Sequence, residues 1–332
     1  MKRVVSFDVF HFSMAFLLFF SCGTSNNAVV SPAANQGIFD FASRTVMLNN
    51  GVKMPILGLG TYRLTPAEAE ESVYHALLDG YRLIDTANAY MNERAVGRGI
   101  HRSGVPREEI FITTKLWPGD YEDVARAIDD TLARLNVEYI DLLLLHQPYG
   151  NVAEGYRGME AALKQGKVRS IGISNFYEKK VGEIMSIATI PPAVLQVESN
   201  PYYHQVVMRE YVNPYGTVLM AWYPLGGRVD EHNTQTLLFN EETIVEIAAA
   251  HNKTPAQVIL RWHLQTGNIA IPGSRNPDHI QENISIFDFE LTDEEMRRLS
   301  ALDTGSGAFD FSNVDEEMDF GSFGTRDFND QE

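Results

Sequence analysis

Cysteine is almost absent, with Cys22 alone in 332 residues. No internal disulfide can form. Neither a Cys-x-x-Cys nor a His-Glu-x-x-His spacing occurs, so no metal site is predicted. Basic residues are also scarce, 27 Lys and Arg against 44 Asp and Glu, for a net charge of −17. That balance excludes nucleic-acid binding driven by phosphate contacts, which needs clustered cations, and it reads as a solubility device. No apolar run is long enough to cross a bilayer. The acidity is uneven: from Asp303 to Glu332 nine acids face Arg326 alone.

What is present begins with Lys2 and Arg3, then the apolar block Met14–Phe20, then Ser21-Cys22-Gly23. This is the order of a secretory signal. It resembles a bacterial lipoprotein leader, in which the cysteine is lipidated and becomes the new N-terminus. On that reading residues 1–22 are leader, 23–43 are a tether of small and polar residues, and the protein is exported and anchored at Cys22. The other reading is a mis-assigned start, with Met47 opening a complete cytoplasmic domain.

From Arg44 a regular alternation sets in. Asn49-Asn50-Gly51 joins two short apolar stretches as a hairpin, because Asn-Gly tolerates positive φ. Strand-like runs follow at Ile56–Leu59, Leu83–Ile84, Ile110–Thr113, Ile140–Leu145, Val168–Ile173, Val194–Val197, Thr217–Ala221 and Ile269–Ile271. Helical periodicities lie between them, from Thr65-Pro66-Ala67-Glu68, a capping sequence, to Pro277–Asn283 and Asp293–Leu299. Tyr121–Leu135 is among these, and Glu241–His251 and Pro255–Gln265 both precede the last strand. Short apolar strands alternating with helices imply a parallel sheet covered on both faces. Eight units predict an α/β protein with a single (β/α)8 barrel over residues 44–303, an N-terminal hairpin closing its bottom, two extra helices, and an acidic tail over 304–332. An open doubly wound sheet is the competitor, but Gly58-Leu59-Gly60-Thr61-Tyr62-Arg63 has Arg63 where the third glycine of a dinucleotide turn belongs. We read Gly58 and Gly60 as letting the backbone approach a ligand.

In a parallel barrel the functional mouth lies at the C-terminal strand ends. Asp85 ends the second strand, Lys115 the third and His146 the fourth, and Tyr90 follows Asp85 in the same loop. Each alone has an ordinary explanation: a turn acid, a solvated amine, a packed ring, a loop histidine. Together they bring an acid, an amine, a phenol and an imidazole to one place. A phenol with a pKa of ~10 is a weak acid at neutral pH, and a nearby ammonium is expected to lower that value. Asp85 would hold Lys115, and His146 would orient a carbonyl. The set suits protonation of an oxygen as a carbonyl is reduced, with the hydride coming from a nicotinamide.

Over residues 44–303 the sequence resembles the aldo-keto reductase family. The resemblance is carried by Leu57-Gly58-Leu59-Gly60-Thr61-Tyr62, Ile84-Asp85-Thr86-Ala87 with Tyr90, Thr114-Lys115-Leu116-Trp117, Ile140-Asp141-Leu142 running to His146, Ile171-Gly172-Ile173-Ser174-Asn175-Phe176, Gln196, Ala221-Trp222-Tyr223-Pro224-Leu225-Gly226, and Ile271-Pro272-Gly273-Ser274 running to Glu282-Asn283. It implies NADPH-dependent reduction of a small-molecule carbonyl substrate by a monomer, with Tyr90 as proton donor among Asp85, Lys115 and His146. By the same matching Ser174, Asn175 and Gln196 hold the nicotinamide carboxamide and Trp222 stacks on its ring. Gly60, Thr61 and Asp85 lie along the cofactor. Leu225, Gly226, Ser274, Arg275, His279, Glu282 and Asn283 line its pyrophosphate and adenosine end. Tyr62, Trp117, His146 and Tyr149 wall the substrate pocket.

The match departs from the family's pattern in three places. Gly273 replaces a lysine and His279 an arginine, the two cations that usually grip the 2′-phosphate of NADPH. Arg275 stands between them as a substitute, with NADH as the alternative coenzyme. Gln147 replaces the tryptophan usual after the active-site histidine. In the tail Phe309, Phe311, Phe320, Phe323 and Phe328 form a candidate lid over the substrate. The rival reading, from a different class, is a non-catalytic nucleotide-binding barrel serving as a membrane-associated sensor or scaffold.

Overall fold

A computed structural model of the chain describes residues 39–229, 232–308 and 327–332. The leader, Cys22 and most of the tether lie outside the described residues, as do Phe309, Phe311, Phe320 and Phe323. Eight parallel strands form one sheet in chain order: β1 Leu59–Gly60, β2 Leu83–Asp85, β3 Phe111–Leu116, β4 Ile140–Leu145, β5 Val168–Ser174, β6 Val194–Glu198, β7 Val218–Trp222 and β8 Asn268–Ala270. The sheet curls until its edges meet. Leu57 bridges Ala270 in parallel, Gly58 N donates to Ala270 O at 2.9 Å, and Gly60 N donates to Pro272 O at 3.1 Å. This is the (β/α)8 architecture the alternation predicts. Every residue of β3 and β4 is buried, as strands covered on both faces must be.

The glycines of the first strand serve this closure. A Cβ on Gly58 would lie 2.4 Å from the Leu83 side chain, and one on Gly60 would lie 2.8 Å from Ile271 O. The space a side chain would need is filled by the neighbouring strand at Gly58 and by the segment after β8 at Gly60.

The hairpin Thr45–Met47 and Lys53–Pro55 forms around Gly51, whose φ is +83°. A third strand, Phe39–Asp40, adds to it. Asn49 donates to Pro192 O and Tyr215 O, and Asn50 to Arg169 O, so the turn lies across the N-terminal ends of β5, β6 and β7. Helices α1 Pro66–Leu78, α2 Glu93–Ser103, α3 Val124–Leu135, α4 Val152–Lys164, α5 Glu178–Ile187 and α6 Val206–Val212 surround the barrel. Thr65 and Glu68 form the expected reciprocal cap of α1. Helix α3 begins three residues later than Tyr121 because Pro118–Asp120 winds as a 3-10 turn and Asp123 accepts from Arg126 N to cap the helix. Between β7 and β8 lie three helices: α7 Thr234–Phe239, α8 Glu242–His251 and α9 Pro255–Gln265. The first of these was not anticipated. Helices α10 Pro277–Ile284 and α11 Asp293–Ser300 follow β8.

Candidate active site

Strands β2, β3 and β4 are hydrogen-bonded neighbours, with Asp85 opposite Thr113 and Lys115 opposite Leu144, so their C-terminal ends border one mouth. Asp85 and Lys115 are buried, and Lys115 Nζ lies 2.6 Å from Asp85 Oδ1. The amine also donates to Thr86 O at 2.9 Å and to the Tyr90 hydroxyl oxygen at 3.1 Å. An ammonium has three N–H donors, and three acceptors stand within reach. Because Lys115 donates to the phenolic oxygen, the phenol's own proton stays available to another acceptor. Tyr90 is brought to this point by a single 3-10 turn, Asn88–Tyr90, that ends at Met91 in the left-handed region, φ 58°.

Aromatic rings enclose the phenol. Tyr62 lies 5.0 Å from it between ring centroids, tilted, and His146 lies 5.6 Å away, edge-on. Trp117 meets His146 edge-on at 5.1 Å, and Tyr149 stands 6.4 Å from Trp117. The four expected pocket residues thus form one wall, with Tyr62, 45% exposed, at the rim.

Burial sets the protonation states here. It pushes Tyr90 well above the ordinary phenol value, reinforced by the nearby Asp85 carboxylate. The expected lowering of Tyr90 by Lys115 is therefore corrected. The ammonium is largely neutralised by Asp85, and loss of water outweighs what remains. Burial likewise raises Asp85 and lowers Lys115, each opposed by the other's charge. Burial, aided by the charge of Lys115, holds His146 well below the usual histidine range, so its ring is neutral at physiological pH. Its Nδ1 is buried without a partner among the described residues.

The second group of residues sits on β5, β6 and β7. Ser174 is in register with Gln196, and Asn175 N donates to Gln196 O at 2.9 Å. Asn175, at φ 65°, turns its side chain between Trp222 and His146: Trp222 Nε1 donates to Oδ1 at 2.9 Å, and Nδ2 donates to His146 O at 3.1 Å. The same Nδ2 reaches Gln147 Oε1 at 3.3 Å, so the residue that replaces a family tryptophan buttresses Asn175. Gln196 Nε2 donates across the barrel to Asp85 Oδ2 at 2.7 Å. A hydroxyl, two carboxamides and a half-buried indole thus stand at adjacent strand ends, polar groups beside a flat surface that could hold a nicotinamide and its carboxamide.

The outer residues gather around β8 and α10. Thr61 is buried and donates to Asp85 O at 3.1 Å. Gly226, at φ 77°, lies against the backbone of residues 234 and 235, and Leu225 is buried. Ser274 Oγ accepts from Asn276 N. Arg275 is exposed and meets Glu68, and His279 is exposed in the first turn of α10. Glu282 accepts from Thr254 Oγ1 at 2.6 Å, which ties it to the cap of α9, and Asn283 is buried.

Sequence reasoning missed a buried network beside the tetrad. Glu93 Oε1 accepts from Thr114 Oγ1 at 2.5 Å, and its Oε2 accepts from Arg134 Nε at 2.7 Å. Thr114 precedes Lys115 on β3, so the network steadies the strand that carries the amine. An acid at the first position of a helix reads as an exposed dipole partner, which hid it. The end of the chain returns to this network. Arg134 Nη1 donates to Asn329 Oδ1 at 2.7 Å, and Gln331 accepts from Arg94 N at 3.3 Å. Phe328 lines a cavity of about 260 Å³ with Trp117, Asp120 and Arg134, beside the pocket wall. Tyr223, 6.3 Å from Tyr62, was also overlooked, because Trp222 absorbed the argument for that strand end.

Comparisons with known proteins agree with this geometry. A profile of the Aldo/keto reductase family matches residues 56–304. The chain is 43% identical over 273 residues to morphine 6-dehydrogenase of Pseudomonas putida, covering 79% of this chain and 92% of that one. It is 45% identical over 262 residues to glyoxal reductase of Bacillus subtilis (strain 168), covering 78% and 92%. Among solved structures, an aldo-keto reductase enzyme from a Medee basin deep-sea metagenome library superposes with a TM-score of 0.77 at 40% identity, over 81% of this chain and 99% of that one. Sequence, fold and relatives converge, and the chain belongs to the aldo/keto reductase family, oxidoreductases that act on carbonyl groups with a nicotinamide cofactor.

Proposed function

We propose that the protein reduces aldehydes and ketones to alcohols with NADPH, and that Tyr90 delivers the proton. The observation that carries this is the direction of the Lys115–Tyr90 hydrogen bond, which leaves the phenolic proton unspent. The bound nicotinamide supplies the hydride. Tyr90, protonated because burial raises its pKa, faces an oxygen that becomes an alkoxide, a far stronger base than a phenolate. Proton transfer is then downhill. Lys115 stabilises the phenolate left behind, and Asp85 keeps Lys115 in place. His146, neutral, offers a ring N–H to the carbonyl oxygen and holds it near Tyr90. Ser174, Asn175 and Gln196 orient the nicotinamide carboxamide, and Trp222 carries its ring. Arg275, exposed and next to Ser274, is the cation we assign to the 2′-phosphate, which a guanidinium can bind in bidentate fashion. The aromatic walls Tyr62, Trp117 and Tyr149 favour substrates with an apolar body.

The test is the loss of NADPH absorbance with 4-nitrobenzaldehyde. Tyr90→Phe is expected to lower kcat by roughly a hundredfold or more, the range of general acid catalysis, with coenzyme binding retained. A Tyr90→Phe enzyme as fast as the wild type would overturn the assignment. Absence of turnover by a folded wild type that binds coenzyme, across a panel of aldehydes, would favour the sensor or scaffold reading instead.

A further inference from the structure

We propose that Glu68 is a fixed counter-anion to Arg275 that sets the choice between the two nicotinamide coenzymes, holding back the 2′-phosphorylated one. The inference rests on the coenzyme reading of the site given above. Between Pro272 and Asn283 the chain carries a single Lys or Arg, Arg275, with Gly273 and His279 on either side. Its Nη1 donates to Glu68 Oε1 at 3.1 Å. The arginine is 73% exposed and on a long side chain, so it can turn. The glutamate cannot turn with it. Its Oε2 accepts from both Thr65 N and Thr65 Oγ1 at 3.0 Å, while Glu68 N donates back to Thr65 Oγ1 at 3.3 Å. These bonds and Arg275 keep its carboxyl below the usual range, so it is ionised at neutral pH.

An exposed ion pair of this kind contributes little to stability. Its consequence lies in what else needs the guanidinium. A ribose 2′-hydroxyl is neutral. A 2′-phosphate carries close to two negative charges and competes with Glu68 for the same cation. The two anions would then stand across one guanidinium from each other, where repulsion in water-exposed surroundings corresponds to roughly three- to tenfold in affinity. One oxygen of Glu68 is enough for the cap. The other is directed at the guanidinium of Arg275, next to Ser274, and there it selects against phosphate.

Isothermal titration calorimetry with NADP⁺ and NAD⁺, which needs no turnover, decides the point. Glu68→Gln keeps a capping side chain at the third helical position, and an unchanged melting temperature confirms that α1 is intact. The variant is expected to bind NADP⁺ about three- to tenfold more tightly, with NAD⁺ little changed, and the gain should shrink in high salt. Arg275→Ala should weaken NADP⁺ alone, and in the double variant Glu68→Gln should bring no further gain. An unchanged NADP⁺ to NAD⁺ ratio in Glu68→Gln, or an equal shift for both coenzymes, overturns the proposal. Failure of the wild type to bind either coenzyme would instead overturn the reading of the site on which it rests.

Discussion

Replacing Lys115 by methionine tests the electrostatics at the centre of the site. The side chains are similar in length, so the change removes charge and donors but little volume. Lys115 is fully buried, with Nζ 3.1 Å from the Tyr90 oxygen and 2.6 Å from Asp85. A full unit charge pair at that phenol distance is worth about 5 kcal/mol at an effective dielectric of ~20. The proton is only partly transferred at the transition state, and Asp85 opposes part of the field, so about half of that is expected in the barrier. This corresponds to a fall in kcat of roughly a hundredfold. Stability suffers separately, because Asp85 is left as a buried unpaired carboxylate, a loss of about 3–5 kcal/mol. Asp85 relieves part of that by taking up a proton in the folded state, where burial already raises its pKa. A carboxyl whose folded pKa lies above its unfolded value binds more protons folded. The deficit of Lys115→Met should therefore shrink as pH falls through the folded pKa towards the unfolded one. The assay is kcat with 4-nitrobenzaldehyde, beside denaturant midpoints at pH 8 and pH 6. A folded Lys115→Met enzyme with wild-type kcat would refute the reasoning, and a stability deficit independent of pH would refute the account of Asp85.

Three further outcomes follow from burial and packing. His263 is buried, its Nε2–H donates to Pro224 O at 3.0 Å, and burial lowers its pKa from 6.5 to about 3. The folded state lacks a proton that the unfolded chain gains, so its contribution is complete above about pH 6.5 and is lost by about 1.4 kcal/mol per pH unit down towards pH 3. Denaturant midpoints between pH 7 and pH 4 should fall less steeply in His263→Gln, and equal slopes would contradict this. Gly60→Ala places a methyl 2.8 Å from Ile271 O, where the barrel closes on itself. A destabilisation of about 1–3 kcal/mol, read as a lower melting temperature, is expected. Thr254→Ala removes the cap accepted from Gln257 N and the bond to Glu282 together. It should cost about 1–2 kcal/mol, more than Thr65→Ala, whose partners are exposed.

The barrel was legible because its signals are local and repeated. Eight short apolar runs, two Thr-Pro capping sequences and an Asn-Gly turn each state their own conformation. The tetrad was legible for a related reason: strand ends of a parallel barrel share one mouth, so Asp85, Lys115 and His146 can be placed together without knowing any side-chain direction. What the sequence withheld depends on burial and long-range packing. The proximity of Lys115 to Tyr90 could be inferred, but not that Lys115 is fully buried beside a partly buried phenol and that Asp85 offsets the amine's field. Gly60 could be marked as special, but only the closing of β1 on the segment after β8 shows which atom occupies the space beside it. Glu93, Arg134 and Asn329 come from α2, α3 and the end of the chain, and no periodicity links them. Helix α7 is a single short turn and a half, too brief to establish a period.

The two oxygens of Asp85 connect the two halves of the site. Oδ1 holds the ammonium that serves the phenol, and Oδ2 holds the carboxamide N–H of Gln196 on the opposite side of the barrel. With its N–H spent on Asp85, Gln196 presents Oε1 to whatever binds beside Ser174 and Asn175, and an acceptor there suits the N–H of a nicotinamide carboxamide. On the proposed mechanism, the side chain that holds the amine beside Tyr90 thus also sets the polarity offered to the coenzyme. Asn175 repeats the arrangement one strand away. Its oxygen is held by Trp222, and its nitrogen by the backbone of His146, so the indole and the imidazole share one carboxamide. Hydride and proton must reach the same carbonyl group from two directions. A buried carboxylate and a buried amide, each bonded to both sides, keep those directions fixed relative to one another before either substrate arrives.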